Sequence, residues 1–169
     1  SMQPSDRQKP FVLSDQKNAT IYSTIKNHLI EPLRANENQK PVAYFLAAQP
    51  GSGKTILRNH ILGESNIEHS TLVINTDELR EYHTSYRELL SHPIDFASAS
   101  YLVNPDSVKW TEQLRKDGIK GRYNLLFDVT LGGNSEYYIH SMNELKDLGY
   151  EVYVAILAVK QELSRLGIH

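Results

Sequence analysis

Residues 41–55, PVAYFLAAQPGSGKT, join an apolar run to a glycine-rich turn that ends in Lys-Thr. A short, continuous apolar run is typical of a strand buried in a parallel sheet. The turn matches the pattern G-x-x-x-x-G-K-[ST] from Ala48 to Thr55, with alanine in the first place. Such a turn presents backbone N–H groups to an anion. The stretch therefore predicts a strand–turn–helix unit that binds the phosphates of a nucleoside triphosphate, and it leaves the reaction open.

Composition narrows the class of protein. The chain has 169 residues, a formal net charge of −2 and no cysteine. The length predicts one domain, and the charge offers no basic face for nucleic acid. Without cysteine there is no disulfide and no thiolate metal site. No apolar run is long enough to cross a bilayer. We therefore expect a protein without a membrane or nucleic-acid partner, in the cytoplasm or delivered by a route that needs no classical signal.

Apolar runs and helical patterns alternate along the chain. Helices are predicted after Ser14, which caps the first of them, after the glycine turn as far as Gly63, from Asp77 with Thr76 as its cap, within 104–118 after a turn signal, over 135–149, and from 160 onward. Strands are predicted at 42–48, 70–75, 123–128 and 150–159. Residues 91–106 carry no clear pattern. The alternation predicts an α/β fold, a three-layer α/β/α sandwich with a parallel sheet of the P-loop NTPase, kinase-like type.

The two ends of the chain are interpreted separately. Residues 1–10 are polar and are expected to be disordered, with Ser1 ahead of Met2 as a scar of tag removal. Residues 11–169 are expected to form the P-loop domain.

The glycine turn supplies the predicted phosphate site. Lys54 would reach the β- and γ-phosphates of ATP, and the Thr55 hydroxyl would bind Mg²⁺. Gly51 and Gly53 permit the tight loop. The full set expected to contact the phosphates is Gln49, Pro50, Gly51, Ser52, Gly53, Lys54 and Thr55.

Two acidic residues follow apolar runs and are candidates for the chemistry. Asp77 lies just beyond the second predicted strand, and Asp128 ends the third. Either could organise Mg²⁺ near the phosphate loop, or accept the proton of an attacking hydroxyl, which would make the protein a kinase. Either could equally be a helix cap. Glu112 and Thr130 taken alone would be a solvated helix residue and a loop hydroxyl.

The order of the segments QPGSGKT, VINTDELREYH, PDSVKWTE, YNLLFDVT and GYEVYVAILAV resembles the zeta toxin family of P-loop kinases over residues 42 to about 168. The resemblance implies ATP-dependent phosphorylation of a sugar hydroxyl of UDP-N-acetylglucosamine. It also implies Mg²⁺ as cofactor and an antitoxin protein as a possible partner.

The resemblance further implies a role for individual residues. Lys54 and Asp77 match the catalytic lysine and the general base. Glu112 and Thr130 match residues that contact the UDP-sugar. Asp128 stands where the family carries glutamate, and it is assigned to the metal, with Thr55, and to the substrate.

The chain also departs from the family pattern. Val129, Thr130, Leu131 and Gly132 replace a Gly-Thr-Gly-Arg segment, and the sequence ends before the arginine-bearing lid helix, which suggests C-terminal truncation. Two alternatives therefore stay open: a P-loop kinase for another metabolite or an antibiotic, and a nucleotide-binding module without turnover.

Overall fold

The computed structural model describes residues 3–37, 40–49, 53–130 and 135–157. These residues form two compact units. The first comprises the described residues up to Pro32 together with Ile74–Lys120, and the second comprises Leu33–Val73 and the described residues from Gly121 onward.

The sheet has four strands in the order β2-β3-β1-β4: β1 Val42–Ala48, β2 Thr71–Ile74, β3 Asn124–Thr130 and β4 Glu151–Leu157. Strand β1 runs parallel to both β3 and β4, so the predicted α/β class and parallel sheet are confirmed. Phe45 of β1 stacks on Phe127 of β3 with ring centroids 4.6 Å apart. The outer strand β4 carries exposed Val154 and Ile156, whereas Phe45 is buried.

The second unit also contains helices α2, Lys54–Glu64, and α6, Ser135–Asp147. Helix α2 directly follows the glycine turn and ends where the sequence predicts. The chain leaves α6 through Gly149, whose φ of +90° lies in the left-handed region that glycine adopts without strain.

The first unit contains α1 Asp15–Leu29, α3 Thr76–Leu79, α4 Tyr86–Ser91 and α5 Ala99–Lys120. The predicted cap of α1 is confirmed, because the Ser14 side chain accepts a hydrogen bond from the Lys17 amide. Helix α1 packs on α5, where Trp110 is fully buried and donates its indole N–H to the carbonyl of Asn18 at 3.1 Å.

Three local predictions differ from the structure. The turn expected at residues 104–106 is absent, because α5 runs without a break from Ala99 and includes Pro105. The third strand continues beyond Asp128 to Thr130, so Thr130 is a strand residue rather than a loop residue. Helix α3 begins at Thr76, and Asn75 is its cap, since the Asn75 side chain accepts from the amides of Asp77 and Glu78. Amide oxygens cap helices as well as hydroxyls do, and pattern alone could not choose between the two neighbours.

The N-terminal segment also departs from the expectation of disorder. Lys9–Phe11 form a 3-10 helix, and Gln8 is buried. The Gln8 side chain donates to the Tyr101 carbonyl at 2.8 Å. This polar stretch is therefore ordered by hydrogen bonds within the first unit, which composition does not reveal.

Candidate functional site

Helix α2 begins directly after the predicted phosphate loop. Gly53 precedes the helix with φ of +84°, a conformation that side-chain-bearing residues rarely adopt. The first amides of the helix have no partner inside it, and the helix dipole adds positive potential there. Gln49 directly follows strand β1, and its amide donates to the Leu157 carbonyl of β4. Pro50, Gly51 and Ser52 lie outside the described residues.

A three-residue ion cluster lies beside this helix start. The ammonium of Lys54 forms an ion pair with Oδ1 of Asp128 and donates to the Val129 carbonyl at 3.3 Å. Nη1 of Arg58 lies 3.6 Å from the other carboxylate oxygen, Oδ2. The Asp128 side chain is only 5% exposed, so little solvent screens these pairs. The structure thus brings together the predicted phosphate lysine and the predicted acidic residue of β3.

Two hydroxyl residues flank the cluster in sequence. Thr55 is exposed in the first turn of α2, directly after Lys54. Thr130 is the last residue of β3 and lies opposite Ala48 of β1, the residue at which the phosphate-loop pattern begins. The backbone thus places Thr55 just after the phosphate loop, and Thr130 beside the end of β1 from which that loop begins.

Asp77 and Glu112 belong to the first unit. Asp77 follows the Asn75 cap, is 63% exposed at its side chain, and forms an ion pair with Arg80 three residues on. Helix α3 packs on α5, and the hydroxyl oxygens of Thr76 and Thr111 are 3.0 Å apart. Since Asp77 and Glu112 directly follow these two threonines, the hydroxyl contact places the backbones of the two residues close to each other.

Two arginines next to the predicted residues were missed by the sequence analysis. Arg58 follows Lys54 by four residues, and Arg80 follows Asp77 by three. Both spacings place side chains on one face of a helix, and charges at these spacings interact. That spacing was the available signal, although it cannot tell which carboxylate an arginine will face.

The first unit also contains a buried acid–histidine pair. Nε2 of His83 lies 3.2 Å from Oδ2 of Asp106, and both side chains are fully buried. Nδ1 of His83 accepts from the Ser85 amide, so the ring proton is on Nε2, where it faces Asp106 and the Phe11 carbonyl. His83 is 3% exposed and is therefore a buried residue of the first unit.

Burial by itself would raise the pKa of Asp106, but hydrogen bonds from His83, the Leu13 amide and Asn18 outweigh it and hold that pKa below its ordinary value. Every donor comes from the first unit. The pair is therefore a structural connection between α5, the N-terminal segment and the segment after α3.

Within the described ranges no three histidine or acidic side chains converge as in a self-sufficient metal site. Mg²⁺ that arrives with nucleotide phosphates needs only one or two carboxylates from the protein. In those same ranges no helix is long and apolar enough to cross a membrane.

Comparison with known proteins gives a consistent result. The family profile described as Zeta toxin matches residues 26–169. Toxin zeta of Enterococcus hirae is 32% identical over 153 residues, which cover 87% of this chain and 51% of that protein. Toxin PezT of Streptococcus pneumoniae is 29% identical over 158 residues, which cover 86% of this chain and 57% of that protein. The chain thus spans about half the length of the curated relatives it matches.

A solved structure from the PezAT chromosomal toxin–antitoxin system of Streptococcus pneumoniae has a similar fold. The TM-score is 0.76 at 26% identity, and the match covers 93% of this chain and 62% of the other. The similarity extends beyond the phosphate-loop segment to nearly the whole described chain.

Proposed function

Because this chain belongs to the zeta toxin family, we propose that it is a P-loop kinase that phosphorylates a sugar hydroxyl of UDP-N-acetylglucosamine with ATP. The observation that carries the nucleotide half of this proposal is the contact of Lys54 with Asp128 beside the start of α2. A lysine, a strand carboxylate and free helix amides in one place form the parts that P-loop enzymes use on a triphosphate.

Lys54 would provide positive charge to the β- and γ-phosphates. It is held beside the helix start by Asp128 and the Val129 carbonyl, so its ammonium is already close to the phosphate loop. Phosphoryl transfer depends mainly on positioning and on neutralising charge, and a preplaced lysine contributes to both. Gln49, Gly53 and the loop residues 50–52 would contribute backbone amides.

Thr55 and Asp128 are the residues that would hold Mg²⁺. A hydroxyl and a carboxylate are hard oxygen donors, which is the ligand type that Mg²⁺ prefers. The ion, when bound, would neutralise phosphate charge. Asp128 faces two cations, Lys54 and Arg58, which hold its carboxylate beside the start of α2.

Asp77 would accept the proton of the acceptor hydroxyl. Its ion pair with Arg80 and the Asn75 cap hold it at the start of α3. Glu112, which the threonine contact brings near Asp77, and Thr130 would bind the sugar nucleotide. A positioned general base contributes on the order of 10² to 10⁴ in rate.

An antitoxin protein is the proposed macromolecular partner. The similar structure comes from a toxin–antitoxin system, and the relatives carry toxin names. The proposed substrate, UDP-N-acetylglucosamine, is a cell-wall precursor that is made in the cytoplasm. A kinase that consumes it would need an antitoxin in the same compartment, so we propose that the protein is cytoplasmic.

Calorimetric titration of UDP-N-acetylglucosamine and, separately, Mg²⁺-ATP into this chain tests the proposal. We expect both to bind. Asp77→Ala and Glu112→Ala should weaken the sugar nucleotide by about tenfold each, the loss of roughly one charged hydrogen bond. Lys54→Ala should weaken ATP and leave the sugar nucleotide unchanged.

The matched control is Asp147→Ala, an exposed carboxylate at the end of α6. It should bind both ligands normally. Binding of Mg²⁺-ATP without the sugar nucleotide would refute the acceptor and favour a kinase for another metabolite, which the altered segment at 129–132 permits. Binding of both ligands without product formation would favour a module without turnover. Failure of both ligands to bind would refute the kinase itself.

A further inference from the structure

Asp128 faces one cation on each carboxylate oxygen. Lys54 pairs with Oδ1, and Arg58 lies 3.6 Å from Oδ2. The two cations are one turn apart on α2, so both project from the same face of one helix. The carboxylate they share is 5% exposed, whereas the Lys54 and Arg58 side chains are 26% and 20% exposed.

Nucleotide binding would disturb this cluster on one side. In the structure the Lys54 ammonium pairs with Asp128 and donates a hydrogen bond to the Val129 carbonyl. An ammonium has three donors, so while it keeps both contacts it has only one donor left for the phosphates. When Lys54 turns to the phosphates, it must release Asp128 in part or in full. A buried carboxylate that loses its partner is strongly unfavourable.

Arg58 can prevent that loss. A guanidinium stays charged under all ordinary conditions and presents its donors as a fork that suits a carboxylate. Its contact is with Oδ2, whereas Lys54 pairs with Oδ1, so it need not move when Lys54 leaves. The low exposure of the pair keeps their attraction from being screened by solvent.

We propose that Arg58 is a positioning residue that keeps Asp128 paired and oriented while Lys54 transfers from Asp128 to the nucleotide phosphates. This inference rests on the proposed nucleotide site. Arg58 would lower the cost of nucleotide binding without touching the nucleotide. Within the cluster, Lys54 would therefore move to the phosphates while Arg58 stays paired with Asp128.

The test is calorimetric titration of ADP in EDTA, where no divalent ion can replace Lys54 at Asp128. The proteins are wild type, Arg58→Met, Arg58→Lys, Asp128→Asn and the double variant Arg58→Met/Asp128→Asn. The matched control is Arg87→Met, an exposed arginine on α4. Urea unfolding of each protein without ADP accompanies the titration.

We expect Arg58→Met to raise the Kd for ADP about tenfold, the size of a typical coupling between contacting residues, and Arg58→Lys to recover most of the affinity. In the Asp128→Asn background the same change should alter the Kd by less than about twofold, because no buried charge remains to be compensated. The urea midpoint of Arg58→Met should stay near wild type, because Lys54 still pairs with Asp128 in the absence of ADP.

An equal loss in the Asp128→Asn background would overturn the inference, since Arg58 would then contact the phosphates directly. An unchanged Kd in Arg58→Met would overturn it as well, while normal wild-type binding would leave the nucleotide site standing. If Arg58→Met does not fold, Arg58→Gln, which also removes the charge but keeps a polar side chain, replaces it in the wild-type and Asp128→Asn backgrounds and decides in the same way. A wild-type chain that binds Mg²⁺-ATP but no ADP in EDTA would overturn the inference alone, whereas a chain that binds neither would refute the nucleotide site as well.

Discussion

Asp106 carries a fully buried carboxylate that is surrounded by hydrogen-bond donors of the first unit. The Leu13 amide lies 3.0 Å from Oδ2 and the Asn18 amide nitrogen lies 2.8 Å from Oδ1. His83, whose Nε2 lies 3.2 Å from Oδ2, completes the set. A buried charge is tolerated when hydrogen bonds replace its hydration, and this arrangement meets that condition.

We expect Asp106→Asn to lower the free energy of unfolding by about 2 kcal/mol at pH 7. The reason is that the side-chain NH₂ of asparagine would face N–H groups that now donate to the carboxylate. The pKa of Asp106 is lowered in the folded state. Its contribution is therefore fully present above the ordinary aspartate pKa of about 3.9 and is lost as pH falls through the lower folded value. Urea unfolding between pH 7 and pH 2 measures both effects.

The control for this prediction is Asp6→Asn, since the Asp6 side chain is 98% exposed. It should leave stability at pH 7 within about 0.5 kcal/mol of wild type. Equal acid sensitivity in wild type and Asp106→Asn would show that the buried carboxylate does not contribute to acid unfolding.

Helix α5 includes a proline that the N-terminal segment accommodates. Pro105 has no N–H to give to the carbonyl of Tyr101, the acceptor four residues earlier in the helix. The side chain of Gln8 donates to that carbonyl at 2.8 Å. Oε1 of Gln8 also accepts from the Ser5 amide at 2.9 Å, so the same side chain orders its own segment.

We expect Gln8→Leu to reduce the free energy of unfolding by about 1 to 2 kcal/mol, since it removes the donor to a part-buried carbonyl. In a Pro105→Ala background the helix regains its own donor, so the same substitution should cost about 1 kcal/mol less. Urea unfolding of the four proteins gives this coupling directly. Gln16→Leu, on an exposed position of α1, is the control. Costs that simply add would contradict the link between Gln8 and Pro105.

Elements with a strong local signal could be predicted from the sequence. Apolar runs, capping chemistry and glycine were sufficient to predict the strand at 42–48, the Ser14 cap and the end of α2. Prediction was wrong where the same residues are compatible with two local structures. Asn-Pro-Asp at 104–106 is typical of a turn, yet a long helix includes it because a distant glutamine supplies the missing donor. Propensity is local, and that hydrogen bond is not.

For the whole molecule, ligand binding and stability are linked. A ligand that binds the folded chain alone stabilises it by about 2.7 kcal/mol at a hundred times its Kd. For a protein of this size that corresponds to a rise in Tm of roughly 5 to 11 °C. The proposed phosphate site therefore has a readout that does not require turnover.

We expect Mg²⁺-ADP at that excess to raise the Tm of the wild-type chain by this amount, and to leave the Tm of Lys54→Met nearly unchanged. Differential scanning calorimetry with and without the ligand makes the measurement. Lys116→Met, an exposed lysine on α5, should respond like wild type. A full shift in Lys54→Met would place nucleotide binding elsewhere in the molecule.

The sequence by itself determined the α/β class, the phosphate-loop helix and the family, because each depends on residues that are adjacent or regularly spaced. Only the tertiary structure decided which side chains meet. Lys54 and Asp128 are far apart in sequence and form an ion pair between α2 and β3. Arg58, Arg80 and Gln8 gained roles because a charge or a hydrogen-bond donor acts over a few ångströms of space, whatever its separation along the chain.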